Sequence, residues 1–298
     1  MIINIQIINI VNAIFFGFWV LSLMMSPKSF MEGGKYQASW FSKLPPNHDS
    51  YVYYMCQICS LVMLSFFVIP VFISPSSKFL VCNSTIMYAF MCIHFHAFLS
   101  GFGAYKDVKP TRIMGGIQWF YMFAIFVILF ILSLLGCVEN DTILQEYNTH
   151  KHMLPLLNVN IVVVFVSSIF SLVLISFPTQ LLSIFWEEKQ DTPVIVCGLK
   201  QLTKHGVVNW YARIAGFAIL SVNLSTIVHP IDGIEHGLKH PLYSVMNLLA
   251  ISLITLFNFN VIMMRQYDGI SEHLLKMSWI PTLIIGCILS TLLILVIT

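Results

Sequence analysis

Long apolar segments separated by short polar gaps are the dominant pattern along this chain. Each segment is about 20 residues or longer, which is the length a helix needs to cross a hydrocarbon core of roughly 30 Å. Backbone groups in lipid must bond within their own segment, so we expect helices. The pattern predicts eight membrane spans: Ile2–Met25, Tyr51–Ser74, Phe79–Gly101, Gly115–Cys137, Pro155–Leu182, Val207–Val228, Pro241–Met264 and Trp279–Thr298.

The composition supports an all-α, polytopic transmembrane helical bundle whose main surroundings are the lipid bilayer. Hydrophobic residues make up 58% of the chain and charged residues 9%, whereas a soluble domain carries about a quarter charged residues. The first segment lacks a basic leading region, and the bulky Trp19, Met24 and Met25 stand where a signal peptide needs small residues. We therefore expect a retained first helix. The net charge of +2 is spread along the loops, so we expect no nucleic-acid partner.

Basic residues alternate between the gaps. Twelve of the fifteen Lys and Arg residues lie in the first, third, fifth and seventh gaps or at their edges, and Lys78, Lys151 and Lys239 are alone in the other three. Because positive residues resist translocation, the odd-numbered loops are predicted to be cytoplasmic. Both termini are then extracytoplasmic or lumenal.

The eight predicted spans divide into two sets of four with matching features. The run Asn9-Ile10-Val11 recurs as Asn160-Ile161-Val162, 151 residues later, and Pro27 matches Pro178 at the same offset. The loop lengths and the charge pattern also agree between the halves. These matches predict two parallel four-helix membrane repeats, residues 1–150 and 151–298, with any site at the interface between them.

The second repeat carries the segment Phe177-Pro178-Thr179-Gln180-Leu181, followed by a polar loop and by Trp210-Tyr211-Ala212-Arg213-Ile214-Ala215-Gly216. Over residues 160 to 262 this order resembles the p53-inducible four-helix membrane proteins, which show an apolar run, Phe-Pro-x-Gln-Leu and a second span rich in small residues. The first repeat keeps only the proline. The family has no defined catalytic residues, so the resemblance implies an architecture and no activity.

Charged side chains are missing from the predicted membrane interior. No Asp, Glu, Lys or Arg lies well inside a predicted span, and Arg213 stands near the end of one. Pumps and proton-coupled carriers use such groups at depth. The pattern argues against an ion-coupled carrier.

Two histidines, His94 and His96, lie well inside the third span. Residues two apart on a helix point about 200° from each other, so the pair cannot hold one metal ion together. Each is a candidate axial haem ligand or proton carrier. The alternative is hydrogen bonding between helices, which is also the expected role of the in-span asparagines Asn158, Asn160, Asn223, Asn247, Asn258 and Asn260.

A second histidine group lies in the sixth loop, predicted to be extracytoplasmic. His236 and His240 are four residues apart and share a face if the loop is helical, and His229 is nearby. Imidazoles beside a carboxylate such as Glu235 form a zinc-ligand set. The His-x-x-x-His pair resembles one used by seven-helix membrane hydrolases such as the alkaline ceramidases. The alternative is ordinary solvated histidines, in which case no cofactor is expected.

The cysteines and sequons suggest further chemistry. Cys82 begins the third span and Cys137 ends the fourth on the predicted outer side, where a disulfide can form. Cys56-Gln57-Ile58-Cys59 is a CxxC pair that matches either a redox motif or small apolar packing residues. Asn140-Asp141-Thr142 is a glycosylation sequon in the fourth loop, and Asn83-Ser84-Thr85 is a second sequon that lies too close to its helix for easy modification.

Small residues mark the third loop. The stretch Gly101-Phe102-Gly103-Ala104 is expected to permit a tight turn there.

Taken together, the sequence favours a non-catalytic structural or accessory component that acts within the bilayer. Its partners would be membrane proteins, in a larger assembly or a homo-oligomer. One alternative is a metal-dependent membrane hydrolase that uses the non-cytoplasmic histidine cluster. Another is a passive channel or carrier for a neutral solute, with in-span Asn and Ser residues lining a path between the halves.

Overall fold

The computed structural model describes residues 4–25, 41–42, 50–105, 109–110, 116–138, 154–183, 193–196, 200–228 and 241–264. The helices of this part of the chain are α1 (Ile5–Met25), α2 (Ser50–Met63), α3 (Ile69–Ile73), α4 (Lys78–Ser100), α5 (Gly116–Val138), α6 (Leu154–Ser176), α7 (Pro178–Ser183), α8 (Lys204–Val228) and α9 (Pro241–Met264). A π-helical turn, Leu64–Val68, joins α2 to α3, and a 3-10 turn, Gly103–Tyr105, follows α4. The strands are β1 (Phe41–Ser42), β2 (Lys109–Pro110), β3 (Pro193–Val196) and β4 (Lys200–Thr203).

Six segments of the described chain are long and apolar enough to cross a membrane: Ile5–Met25, Tyr53–Ile73, Lys78–Ser100, Tyr121–Val138, Gly206–Ile227 and Leu242–Val261. Helix α6 adds a shorter apolar stretch, Asn160–Ser176. The prediction of a multi-pass helical membrane protein is confirmed. The eighth predicted span, Trp279–Thr298, lies outside the described residues, so the count of eight stays a prediction.

The fifth span is shorter than the sequence suggests. We predicted one segment to Leu182, but α6 ends at Ser176 and the separate helix α7 begins at Pro178. Proline has no backbone N–H, and it disfavours helical geometry in the residue before it. The last carbonyls of α6 therefore need partners from outside the helix.

A proline also shapes the second span. In a continuous α-helix the carbonyl of Phe66 would accept the N–H of residue 70, which is proline. The chain widens into the π turn just before this point. The side-chain amide of Asn83 on α4 donates to the Phe66 carbonyl at 3.1 Å, and Ser221 on α8 donates to the Asn83 oxygen at 2.8 Å. These bonds join three spans at the kink, and we call them the Asn83 junction.

Four short strands tie the gaps together at one end of the bundle. They pair antiparallel in the order β1-β3-β4-β2, with Phe41 opposite Val196 and Lys109 opposite Gln201. Strand β1 belongs to the first gap, β2 to the third, and β3 and β4 to the fifth. The first three odd-numbered gaps therefore lie at the same end of the bundle. Helix α8 follows β4 directly.

Helix α8 is the centre of the described bundle and packs against α2, α4 and α6. Of the residues in the most apolar stretch of α8, 72% are buried inside the bundle. The corresponding share is 22% for α5, which packs on the outer side of α4. Gly216 allows the closest approach to α6, because an added Cβ would lie 2.9 Å from Ile175 Cγ1 and 3.0 Å from the Ser171 carbonyl oxygen. Small residues at helix contacts let membrane helices approach closely.

Buried amides bond the spans to one another, as expected for in-span asparagines. Asn12 accepts the Tyr88 hydroxyl at 3.0 Å and donates to Ser133 at 3.1 Å, which links α1, α4 and α5. Asn223 accepts the Tyr243 hydroxyl at 3.0 Å and donates to Ser167 at 2.8 Å, which links α8, α9 and α6. The expectation of interhelical bonding is also confirmed at Asn160 and Asn258. Asn247 differs because it bonds within its own helix.

Candidate functional site

A tight turn after α4 positions the first member of the candidate site. Gly101 has φ +68° and donates its N–H to Ala97, and Gly103 has φ +59°. Left-handed backbone of this kind favours glycine, as expected from the small residues at this loop. The turn folds the chain back so that Tyr105 packs against α4, and its hydroxyl lies 3.4 Å from Nε2 of His94.

The two in-span histidines point in different directions, as their spacing predicts. His94 is buried, whereas His96 lies on the exposed side of α4. The ring of His94 contacts Trp210 at 4.4 Å, Phe217 at 5.4 Å and Tyr105 at 5.6 Å between ring centroids. His94 is therefore enclosed by aromatic rings from α8 and from the turn. A haem or proton-carrier role for either histidine stays a prediction.

Arg213 lies opposite Tyr105 on the central helix. Its Nε donates to the carbonyl of Ile175 at 3.0 Å, and Nη1 donates to the Tyr105 hydroxyl in a long contact of 3.4 Å. The guanidinium carbon lies 5.2 Å from the centre of the Tyr105 ring, within cation–π range. Ile175 is in the last turn of α6, which Pro178 interrupts, so Arg213 supplies a donor to a carbonyl at the helix end. We call His94, Tyr105 and Arg213 the Arg213 cluster.

Burial keeps the Tyr105 phenol protonated. Removal from water raises the pKa of Tyr105 to about 12, and the positive charge of Arg213 partly opposes that rise. The hydroxyl stays neutral at physiological pH, where it accepts from Arg213 and has a proton of its own to donate. The cluster therefore carries the charge of the guanidinium and a neutral hydroxyl beside it.

Two members of this cluster, Tyr105 and Arg213, were not among the residues that the sequence singled out as a site. Arg213 was predicted near a span end, but it lies seven residues inside the segment Gly206–Ile227, about 10 Å along the helix axis. The signal was present, because an arginine inside an apolar segment is by itself a functional-site hypothesis. Nothing in the sequence paired it with Tyr105, since the two are 108 residues apart.

The predicted cysteine pair is brought together by α4 and α5. Cys82 and Cys137 hydrogen-bond through their sulfurs, and Thr85 Oγ1 lies 3.4 Å from the Cys137 sulfur. Both are present as thiols. A disulfide between them stays a prediction, for which the structure provides two cysteines side by side on neighbouring helices.

The CxxC pair is a packing element in the described structure. Cys56 and Cys59 are both fully buried in the hydrophobic core, and Cys56 hydrogen-bonds to Tyr211 on α8. Cysteine buried in this way packs as a small apolar residue.

Several predicted residues lie outside the described residues. These are the zinc candidates His229, His236 and His240 and the sequon residue Asn140. Within the described ranges there is no group of three or more His, Cys, Asp or Glu side chains that could hold a metal ion. The zinc hypothesis depends on the sixth loop and is not tested by that finding.

The asparagine of the second sequon, Asn83, is part of the packed interior of the bundle. Asn83 is completely buried, and both ends of its amide are bonded in the Asn83 junction. A glycan on this side chain is incompatible with the packing of the three spans around it.

In comparisons with known proteins, no family model, no curated protein and no solved structure matches the chain.

Proposed function

We propose that this chain is a non-catalytic structural or accessory component of a membrane, acting within the bilayer as a subunit of a larger assembly. The observation that carries the proposal is the use made of the buried polar side chains. Asn12, Asn83 and Asn223 each bond to two other spans. Such bonds fix helix positions against one another.

The outer faces of the bundle support the same proposal. Helices α5 and α6 present large apolar side chains outward, among them Tyr121, Ile128, Phe165 and Val166, each more than half exposed. In a membrane these faces meet lipid or another membrane protein. Contacts of that kind need no soluble domain.

Helix adjacency supports the two-repeat arrangement that accompanies this proposal. Exchanging the halves maps α2 onto α8 and α4 onto α9. The contact of α2 with α9 then corresponds to that of α8 with α4, and both are present. The contact of α1 with α2 corresponds likewise to that of α6 with α8. We infer two parallel repeats, 1–150 and 151–298, related by an axis that passes between α2 and α8.

The cavity at the helix junction does not favour the channel alternative. A passive path for a neutral solute needs polar groups between the halves, but the described cavity at the helix junction is apolar and holds only about 20 Å³, with Phe15, Trp19, Phe126 and Tyr211 among its lining residues. That is room for little more than one water molecule. The hydrolase alternative depends on the sixth-loop histidines and stays open.

The test of the proposed function is purification of the chain in a mild detergent through a C-terminal tag, followed by mass spectrometry of everything retained. We expect at least one membrane protein in stoichiometric amount. An unrelated multi-pass protein with the same tag is the control. A chain that elutes alone and monomeric contradicts the subunit proposal, and zinc bound to it would favour the hydrolase.

We also infer that the sheet-bearing end of the bundle faces the cytoplasm, because the odd-numbered gaps hold most of the basic residues. The opposite end, with Cys82, Cys137 and Asn140, then lies in an oxidising compartment. We expect the chain from its native membrane to show two linked cysteines that are released by reductant, and a glycan that is lost in Asn140→Gln. Cys137→Ser should abolish the link. If both thiols are labelled in native membranes without reductant and no glycan is found, the inferred orientation is wrong.

A further inference from the structure

The guanidinium of Arg213 has hydrogen-bonding capacity that the described protein does not use. Arginine carries five N–H donors in a planar fork. The carbonyl of Ile175 and the hydroxyl of Tyr105 take one each. The one remaining nitrogen, Nη2, has no hydrogen bond among the described residues and is not one of their fully buried polar atoms without a partner, so part of it reaches the surface of the bundle.

In the described residues the Arg213 guanidinium contacts only neutral groups: the Ile175 carbonyl, the Tyr105 hydroxyl and the Tyr105 ring. The bases at the same end add to the positive charge, since β2 holds Lys109, β4 begins with Lys200 and α8 begins with Lys204. A cation about 10 Å inside a membrane helix is costly unless an anion compensates it.

The cluster lies in the half of the bundle nearest the sheet, so the long side chain of Arg213 can extend toward the headgroups of that leaflet. Arg213 points between the turn that carries Tyr105 and the end of α6 at Ser176, which are both at the sheet-bearing end of their spans. Basic pockets between transmembrane helices on the cytoplasmic side are sites for phosphate-bearing headgroups. The forked guanidinium matches phosphate oxygens in a bidentate manner.

We propose that Arg213, positioned by Tyr105, binds the phosphate group of an anionic membrane lipid, in the leaflet on the sheet-bearing side. The lipid phosphate accepts from the unused N–H groups of Arg213, while the buried Tyr105 hydroxyl accepts from Nη1 and holds the guanidinium in place. The aromatic rings around His94 form the apolar wall behind the site. This proposal is independent of whether the chain is a subunit of a larger assembly.

The test is native mass spectrometry of the full chain in detergent, titrated with phosphatidylserine, phosphatidylglycerol, phosphatidylcholine or inorganic phosphate. We expect both anionic lipids to bind at least about tenfold more tightly than phosphatidylcholine, and Arg213→Gln to remove that preference, because a charge-assisted hydrogen bond accounts for roughly such a factor. Saturable binding of inorganic phosphate that is lost in the same variant would assign the site to a free anion instead.

Three further variants keep the proposal falsifiable. Lys109→Gln removes one positive charge from strand β2 at the same end of the bundle, and it should change the affinity less than about twofold because Lys109 is not part of the Arg213 cluster. Tyr105→Phe keeps the ring and removes the hydroxyl that accepts from Arg213, so a decrease of a few-fold is expected even if Arg213→Gln fails to fold. Asp107→Asn removes the carboxylate nearest to Tyr105 in the sequence and should have little effect. Equal effects of R213Q and K109Q, or a large gain in lipid affinity in D107N, would overturn the proposal.

Discussion

Replacing Gly216 by alanine is expected to lower the stability of the folded bundle by about 1–3 kcal/mol, relative to the same replacement at Gly17. The new methyl group would lie 2.9 Å from Ile175 Cγ1, 3.0 Å from the Ser171 carbonyl oxygen and 3.1 Å from Leu174 Cβ. The Ser171 carbonyl is backbone and cannot rotate away. Helices α6 and α8 must therefore move apart along their contact.

Gly17 provides a matched control for this experiment. It also lies inside a membrane helix, but a Cβ added there meets no atom within 4 Å. Gly17→Ala should be neutral or slightly stabilising, because alanine has the higher helix propensity. The measurement is reversible unfolding in mixed micelles with increasing SDS, followed by tryptophan fluorescence. If the two variants unfold at the same SDS fraction, the close approach of α6 and α8 is wrong.

The second large effect is expected at the Asn83 junction. Asn83→Leu keeps the number and branching of the side-chain heavy atoms but removes the bond to the Phe66 carbonyl and the bond from Ser221. The Phe66 carbonyl then loses its side-chain donor at a point where Pro70 offers no N–H. We expect a loss of roughly 1–3 kcal/mol in the same unfolding experiment, since interhelical bonds in membranes contribute about 0.6–1.7 kcal/mol each.

Two serines test whether the loss of stability is specific to the Asn83 junction or follows from removing any buried hydroxyl or amide. Ser60 is also fully buried and donates within its own helix, to the Cys56 carbonyl at 2.8 Å, so Ser60→Ala should cost little. Ser221→Ala combined with Asn83→Leu forms a double-mutant cycle. A coupling energy of at least about 0.5 kcal/mol is expected for groups in contact. Additive effects in that cycle would show that the bond between Asn83 and Ser221 contributes nothing to stability.

The membrane character and most helix positions follow from local pattern alone. An apolar run of about 20 residues has few alternatives to a helix in lipid, and seven of the eight predicted spans coincide with helices of the described chain. The opposed directions of His94 and His96 follow equally from helical spacing. The glycine turn after α4 was signalled by residue type, because left-handed backbone needs glycine.

The placement of side chains from distant spans did not follow from the sequence. The in-span asparagines predicted interhelical bonds without predicting partners, such as Ser167 and Tyr243 for Asn223. The same limit applied to the pairing of Tyr105 with Arg213. A hydrophobic pattern states which segments enter the membrane, but it is nearly uniform around these helices and so does not state which faces meet.

The sequence by itself determined that this is a multi-pass helical membrane protein whose odd-numbered gaps are rich in positive charge, because lipid imposes strong local rules on length, hydropathy and charge. Only the tertiary structure decided that α8 is the central helix and that the first, third and fifth gaps share a sheet. It also decided that Arg213 lies inside the bundle beside Tyr105. These features depend on close packing and hydrogen bonds between residues far apart in the chain, which local pattern does not encode.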